Sequence, residues 1–123
     1  MQKVVLFSCT NRENSYSDKV TNIYKQLFEK EGVETEVFYF RDLSGNIISE
    51  ELFDNKSEGF LNFIDSLIGV NHKFVFVISE YNGGFPGLFK VFLDAVPPRM
   101  WLNKKACLVG VSSGRAGNLR GME

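Results

Sequence analysis

The sequence predicts an α/β fold in which helices cover both faces of an open, parallel sheet. Apolar runs that end at small polar residues are typical of strands buried on both sides. Between these runs, apolar residues recur every three or four positions, as in amphipathic helices. Strands that alternate with helices favour a parallel sheet with right-handed crossovers. At 123 residues, 44% of them hydrophobic, the chain can bury one core, and we expect a single domain over residues 1–123.

The first half of the chain contains two strand patterns and one helix pattern. Residues 4–7 form a continuous apolar run and predict the first strand. A helix is predicted over about 17–31, with Gly32 as its C-terminal stop. Residues 35–40 are rich in β-branched and aromatic side chains and predict the second strand, whereas the polar stretch 41–57 predicts a long connection.

The second half repeats the alternation. Apolar residues at helical spacing over 60–68 predict the second helix, and the run 74–78 is the clearest strand pattern in the chain. The third helix begins near Pro86 and ends before Pro97-Pro98, and residues 106–111 predict the fourth strand. Because the alternation stops after a strand and a loop, the sheet would be C-terminally incomplete. We therefore expect that the last βα unit is missing and that the fourth strand lies bare at the edge.

Charge and hydropathy exclude several classes of function. Fourteen basic and fifteen acidic residues give a net charge of -1, which provides no long-range field to attract nucleic acid or an anionic membrane. No apolar stretch approaches the roughly 20 residues of a membrane-spanning helix, and residues 1–3 are too short for a signal peptide. Cys9 and Cys107 show neither zinc-ligand spacing nor a dense disulfide pattern. We expect a cytoplasmic protein with reduced thiols and no metal site.

Three loops rich in small residues follow predicted strands, and ligands of open parallel sheets bind beyond the carboxyl ends of the strands. In the first loop, residues 9–17, hydroxyl groups, free backbone N–H groups and the helix dipole favour a phosphate, with Arg12 as its charge partner. An ordinary helix N-cap with a polar lead-in would explain the same residues.

The second and third loops carry different chemistry. In the second loop, residues 79–87, adjacent glycines let the backbone approach a flat ring, Tyr81 and Phe85 offer stacking surface, and Asn82 can donate and accept hydrogen bonds. A loop that only turns the chain needs neither this length nor these aromatic residues. In the third loop, residues 112–117, backbone N–H groups and Arg115 suit a negatively charged group, although a flexible tail is the alternative.

These loops resemble those of the NADPH-dependent FMN reductase family, which includes chromate, quinone and azo-dye reductases. The family carries a Gly/Ser-Thr-x-Arg-x-x-Ser phosphate loop, which is similar to Thr10-Asn11-Arg12-Glu13-Asn14-Ser15. It also carries Pro-Glu-Tyr-Asn-Gly before a helix that opens with proline, as in Glu80-Tyr81-Asn82-Gly83 and Pro86-Gly87. The resemblance runs from residue 4 to the last residue. Cys9 stands where a glycine is usual, and Ser79 replaces the usual proline.

The resemblance implies a flavodoxin-like fold, with strand order 2-1-3-4, that binds FMN non-covalently. The residues that would hold the phosphate and ribityl end of FMN are Thr10, Arg12, Asn14, Ser15 and Tyr16. Those that would pack along the isoalloxazine ring are Glu80, Tyr81, Asn82 and Gly83. The third loop matches the family's glycine-rich loop through Ser113, Gly114 and Arg115.

The resemblance also implies an oxidoreductase activity. NADPH or NADH would give hydride to the flavin, which would pass electrons to a small-molecule acceptor, so that no catalytic side chain is expected. Family members form dimers or tetramers, and the bare fourth strand adds a reason to expect a homodimer or homotetramer. Two alternatives remain open: a flavodoxin-like electron carrier that takes electrons from a protein partner, and a truncated, non-enzymatic interaction module.

Two other protein classes with this topology do not fit. Low-molecular-weight phosphatases need a Cys-x5-Arg-Ser loop, but Ser15 stands six positions after Cys9, and Arg12 only three. Response-regulator receivers need an acidic pair after the first strand and an aspartate at the end of the third. Ser8-Cys9 and Ser79 occupy those positions.

Four residues outside the loops also carry expectations. His72 precedes the third strand on the amino side of the sheet and is predicted to lie at the surface. Arg41 and Asp42 are predicted to form a solvated turn. Trp101 fits either the core or a subunit interface, since aromatic residues dominate both.

Overall fold

The computed structural model describes residues 3–123. Residues 1 and 2, which belong to the N-terminal stretch predicted to be too short for a signal peptide, lie outside the described residues. Four strands form one parallel sheet: β1 (Val4–Ser8), β2 (Thr35–Tyr39), β3 (Lys73–Ser79) and β4 (Lys105–Val111). Their order in the sheet is β2-β1-β3-β4, which confirms the predicted order. Val4 pairs with Thr35 and with Lys73, which in turn pairs with Lys105. The first residues of the four strands are therefore aligned across the sheet, and the carboxyl ends of the strands lie together at one edge.

Four helices connect and flank the strands: α1 (Tyr16–Lys30), α2 (Glu58–Ile64), α3 (Gly87–Ala95) and α4 (Leu119–Met122). A wider π-helical turn, Asp65–Gly69, continues α2 to the end of the predicted second helix. The stretch 41–57, predicted as an irregular connection, contains a helical turn at Ile47–Glu51. The short turns at Pro98–Trp101 and in α4 were also not predicted from the sequence.

The sheet carries hydrophobic clusters on both faces, so the prediction of helices on both faces is confirmed. On one face, Phe7 stacks on Phe76 with 5.0 Å between ring centroids, and α2 and α3 complete the packing. On the other face, the smaller cluster of β1 and β3 side chains packs against α1. Trp101 meets Phe74 edge-on at 5.5 Å. The structure therefore shows Trp101 packed against the core.

Several surface expectations can be compared directly with the structure. His72 is exposed, as predicted. Cys9 and Cys107 are both free thiols, one buried and one exposed, which confirms the prediction of reduced cysteines. Most side chains of β4 are exposed, in keeping with its position at the sheet edge. None of the helices described over residues 3–123 has the length and apolar character to cross a membrane.

Candidate functional site

The three loops meet in one cavity of about 420 Å³ beyond the carboxyl ends of β1, β3 and β4. From β1 the chain continues to β2 on one side of the sheet, and from β3 it continues to β4 on the other side. The cavity therefore lies where the strand order reverses. Its walls come from all three loops: Arg12, Glu13, Asn14, Ser15, Tyr16, Ser17, Ser79, Glu80, Tyr81, Val111, Ser112 and Ser113. Parallel topology thus brings together loops that lie far apart in the sequence.

The first loop presents hydrogen-bond donors at the N-terminus of α1. Ser15 is the N-cap, and its Oγ accepts a hydrogen bond from the Asp18 N–H at 3.0 Å. Within the described chain, the N–H groups of Ser15, Tyr16 and Ser17 have no acceptor. These free N–H groups and the positive end of the helix dipole suit a phosphate group.

Thr10 occupies a different place from its neighbours in the first loop. Its side chain is fully buried, and its Oγ1 lies 2.5 Å from the Tyr81 hydroxyl and accepts from the Arg12 N–H at 3.1 Å. The structure therefore places Thr10 behind the cavity wall, whereas the predicted ligands Arg12, Asn14, Ser15 and Tyr16 line the cavity.

The second loop forms a tight two-residue turn. Tyr81 and Gly84 exchange backbone hydrogen bonds of 2.9 and 3.1 Å around Asn82 and Gly83, which have φ values of 55° and 77°. Positive φ at both central positions is the type I′ geometry that Asn-Gly favours. Glu80 accepts from the Gly83 N–H at 3.0 Å. Glu80 and Tyr81 line the cavity, whereas Asn82 and Gly83 lie at the exposed tip of the turn.

The third loop contributes one of its three predicted residues to the cavity. Ser113 lines the wall, while Gly114 and Arg115 are exposed and lie outside the lining. Asn118, which follows this loop, is buried and donates from Nδ2 to the Ile78 carbonyl at 2.8 Å. Sequence reasoning missed Asn118, because no local pattern indicates a bond to a residue 40 positions earlier.

An acidic group lies directly behind the first loop. Asp18 has only 10% of its side chain exposed; it accepts from Ser8 Oγ at 2.6 Å and forms an ion pair with Arg41. The Arg41 guanidinium also lies 4.0 Å from the centre of the Tyr39 ring. Arg41 and Asp42 are both exposed in the helical turn Phe40–Asp42, as predicted for a solvated turn. The pairing of β1 with β2 also brings Arg41 to Asp18, a contact that the sequence did not predict.

The cavity carries a mixed charge. Among the lining residues that the structure describes, Arg12 is the only cation, and Glu13 and Glu80 are the anions. Glu13 and Ser17 of the first loop, Ser79 and Ser112 of the other two, and Val111 at the end of β4 line the cavity without having been named as site residues. Their positions within or beside the predicted loops are the only feature of the sequence that could have indicated these lining residues.

Cys9 is not a candidate nucleophile. Burial raises the pKa of its thiol well above the usual range, and this effect outweighs a backbone hydrogen bond from Val77, which lowers the pKa. A thiol that stays protonated at neutral pH is a poor nucleophile. This agrees with the mismatch to the phosphatase motif found in the sequence.

A second cavity, of about 400 Å³, lies between the 42–51 segment and α2. Phe38, Phe60 and Phe63 make it largely apolar, and none of the predicted site residues lines it. Over residues 3–123, no three His, Cys, Asp or Glu side chains are grouped so that they could hold a metal ion. The cavity at the three loops therefore remains the candidate site.

Comparisons with known proteins bear on the family and the fold of the chain. A family model described as NADPH-dependent FMN reductase matches residues 2–123. A sequence comparison with curated proteins finds no match. The fold is similar to that of the apo form of an NADH:FMN oxidoreductase (EMOB), with a TM-score of 0.75 at 18% identity over 94% of this chain and 61% of that one.

Two further solved structures show the same fold. FerB, a flavoenzyme NAD(P)H:(acceptor) oxidoreductase from Paracoccus denitrificans, has a TM-score of 0.75 at 22% identity over 98% of this chain and 66% of its own. An oxidoreductase from Corynebacterium diphtheriae has a TM-score of 0.66 at 14% identity over 91% of this chain and 63% of its own. The flavodoxin-like fold class is thereby confirmed. The chain spans less than two thirds of the length of each of these relatives.

Proposed function

Because the chain belongs to the NADPH-dependent FMN reductase family, we propose that it is an oxidoreductase that binds FMN in the cavity of the three loops and uses NADPH or NADH to reduce a small acceptor. The observation that carries the proposal is the convergence of these loops on one cavity at the point where strand order reverses. When bound, FMN would supply the hydride-transfer and electron-transfer chemistry of this reaction.

The donor set of the first loop fits the phosphate of FMN. The free N–H groups of Ser15, Tyr16 and Ser17 point from the start of α1, and Arg12 supplies a positive charge at the cavity wall. Asn14 takes a positive φ of 52°, a conformation that asparagine tolerates better than most residues. Pairing with Arg41 offsets the negative charge of Asp18 behind the loop, which would otherwise oppose an anion.

The second and third loops fit the flavin ring. Tyr81 offers an aromatic surface at the cavity wall, and the exposed Asn82-Gly83 turn beside it would let backbone approach a planar ligand without a bulky side chain. The N–H of Glu80 donates to the Val111 carbonyl at 3.0 Å, so the start of the second loop is held against the end of β4. The roles of Asn82, Gly83, Gly114 and Arg115 toward the ring remain predictions.

A visible spectrum of the protein titrated with FMN, taken before and after anaerobic addition of NADPH, tests the proposal. We expect a shifted flavin spectrum and quenched flavin fluorescence on binding, followed by bleaching when NADPH is added. Arg12→Met should weaken FMN binding about tenfold, because one charge-assisted phosphate contact is lost, whereas the exposed Arg99→Met should leave it unchanged.

The possible outcomes separate the proposed enzyme from its alternatives. Binding of FMN without bleaching by NADPH or NADH would favour an electron carrier that depends on a protein reductant. An unchanged FMN spectrum and fluorescence at millimolar FMN would refute the flavin site altogether.

We further propose that the protein works in the cytoplasm as a homodimer or homotetramer. The free thiols Cys9 and Cys107 fit a reducing compartment. The outer edge of β4 has no strand partner within residues 3–123, and Leu108 on this strand is 46% exposed. Light scattering after size exclusion should give the mass of a dimer or tetramer, and Leu108→Lys should shift it toward the monomer. A monomeric parent protein would contradict the proposal.

A further inference from the structure

Two hydroxyl–hydroxyl hydrogen bonds join the first loop to the second. Thr10 Oγ1 lies 2.5 Å from the Tyr81 hydroxyl, and Ser17 Oγ lies 2.5 Å from Ser79 Oγ. The partners are separated by 71 and 62 residues in the sequence, so both contacts depend on the pairing of β1 with β3. Together they hold the two loops at a fixed separation.

The Thr10–Tyr81 bond connects groups with different proposed roles. Thr10 Oγ1 also accepts from the Arg12 N–H at 3.1 Å, so one buried oxygen contacts both the proposed phosphate partner and the proposed ring neighbour. A hydrogen bond is stronger in such a buried setting than in water. Because Thr10 is fully buried, its hydroxyl bonds these protein groups and does not reach the cavity.

We infer that Thr10 and Tyr81 are positioning residues whose hydroxyl pair, here called the latch, fixes the distance between the phosphate subsite and the ring subsite. This inference rests on the proposed function. A ligand that spans two subsites gains its full affinity only when they are already held at the correct spacing. The latch therefore matters for FMN, which occupies both subsites. It has little effect on riboflavin, which lacks the phosphate, or on inorganic phosphate, which lacks the ring.

Tyr81→Phe tests the latch most directly, because it removes one hydroxyl and leaves the ring and the Thr10–Arg12 bond in place. We expect FMN to bind about fivefold more weakly, the effect of one neutral hydrogen bond. The dissociation constants of riboflavin and of inorganic phosphate should stay within about twofold of the parent values. Tyr24→Phe is the matched control, since Tyr24 packs on the opposite face of the sheet in α1.

A double-mutant cycle with Thr10→Val isolates the pair. If the latch is one unit, the double variant should bind FMN no more weakly than Thr10→Val alone. Thr10→Ser keeps the hydroxyl and should retain the parent affinity for FMN. The same cycle measured by urea unfolding without ligand should show coupling between the two residues.

Three results would overturn the inference. Equal losses for FMN and riboflavin in Tyr81→Phe would mean that the hydroxyl contacts the ring directly. Additive losses in the double variant, or no loss of FMN affinity in any variant, would show that the hydroxyl pair does not set the spacing. Failure of the parent protein to bind FMN would refute the proposed function instead. The unfolding cycle needs no ligand, so it tests the coupling of Thr10 and Tyr81 independently of FMN binding.

Discussion

Asp18 and Arg41 form the most buried ion pair described in the structure, and it lies against the proposed phosphate subsite. Arg41→Met would leave the Asp18 carboxylate with Ser8 as its hydrogen-bond donor. We expect the free energy of unfolding to fall by roughly 2 kcal/mol, as for a lost hydrogen bond to a charged group. Uncompensated negative charge near α1 should also weaken FMN binding more than riboflavin binding.

Urea unfolding and flavin titrations measure the two effects of Arg41→Met. The exposed Arg99→Met is the matched control and should change neither quantity. A change in stability below about 0.5 kcal/mol, typical of an exposed surface substitution, would contradict a structural role for this ion pair.

Thr35 is a residue at which the fold leaves a polar atom unsatisfied. Its Oγ1 is buried and has no hydrogen-bond partner among the described residues. Thr35→Val replaces the hydroxyl by a methyl group of similar shape at the start of β2, so the free energy of unfolding should rise by about 1 kcal/mol. Thr10→Val, by contrast, removes a buried hydroxyl that is hydrogen-bonded to Tyr81, and it should lower the free energy of unfolding. Loss of stability in Thr35→Val would show that the hydroxyl has a partner.

Cys9 gives the fold a dependence on alkaline pH. Burial raises the thiol pKa in the folded state, so the unfolded chain loses its proton first as the pH rises. The stabilisation is complete below the unfolded pKa of about 8.5 and is lost as the pH rises toward the folded pKa, by up to about 1.4 kcal/mol per pH unit.

Unfolding free energies at pH 7 and pH 10 measure this loss. The difference in stability between the parent protein and Cys9→Ala should decrease between these two pH values. The difference between the parent and Cys107→Ala, which alters an exposed thiol, should stay constant. A parallel response of the two variants would contradict the effect of burial at Cys9.

Among the elements, those with long periodic patterns could be predicted and the short turns could not. The predicted helix over 17–31 is α1 (Tyr16–Lys30), shifted by one residue, because five apolar positions on one face outweigh local preferences. The turn at Ile47–Glu51 has no such pattern. It is held by tertiary contacts: Ile47 enters the core, and Glu51 accepts from Ser57 N–H at 2.8 Å and from its hydroxyl at 2.7 Å.

The short helix α4 anchors the third loop to the sheet through one side chain. Asn118 donates to the Ile78 carbonyl and accepts from the Gly121 N–H at 3.0 Å, so it links β3 with the first turn of α4. Asn118→Ala should increase amide hydrogen exchange over residues 112–122 by about tenfold, since a cap and a buried bond together contribute about 1.5 kcal/mol. The exposed Asn62→Ala in α2 is the control. Unchanged exchange in Asn118→Ala would contradict this anchoring role.

At the scale of the molecule, the location of the candidate site could be predicted from topology, whereas the contacts within it could not. Any parallel sheet of this order brings the loops after β1, β3 and β4 to one edge, so the sequence alone predicted the three loops. The burial of Thr10 and the pairing of Arg41 with Asp18 depend on packing between residues far apart in the chain. No local sequence pattern indicates such contacts.

Because the cavity is built from three separate parts of the chain, its occupation should stabilise the whole fold. At a concentration of a hundred times its dissociation constant, a ligand that binds only the folded state adds about 2.7 kcal/mol to the free energy of unfolding. For a chain of this size, that stabilisation raises the melting temperature by roughly 10 °C. We expect FMN to produce this rise in thermal unfolding and an equal concentration of riboflavin to produce a smaller one, since riboflavin leaves the N-terminus of α1 without an anion. Equal shifts with FMN and riboflavin would show that the first loop does not bind the phosphate, and the absence of a shift with either would show that the cavity does not bind flavin.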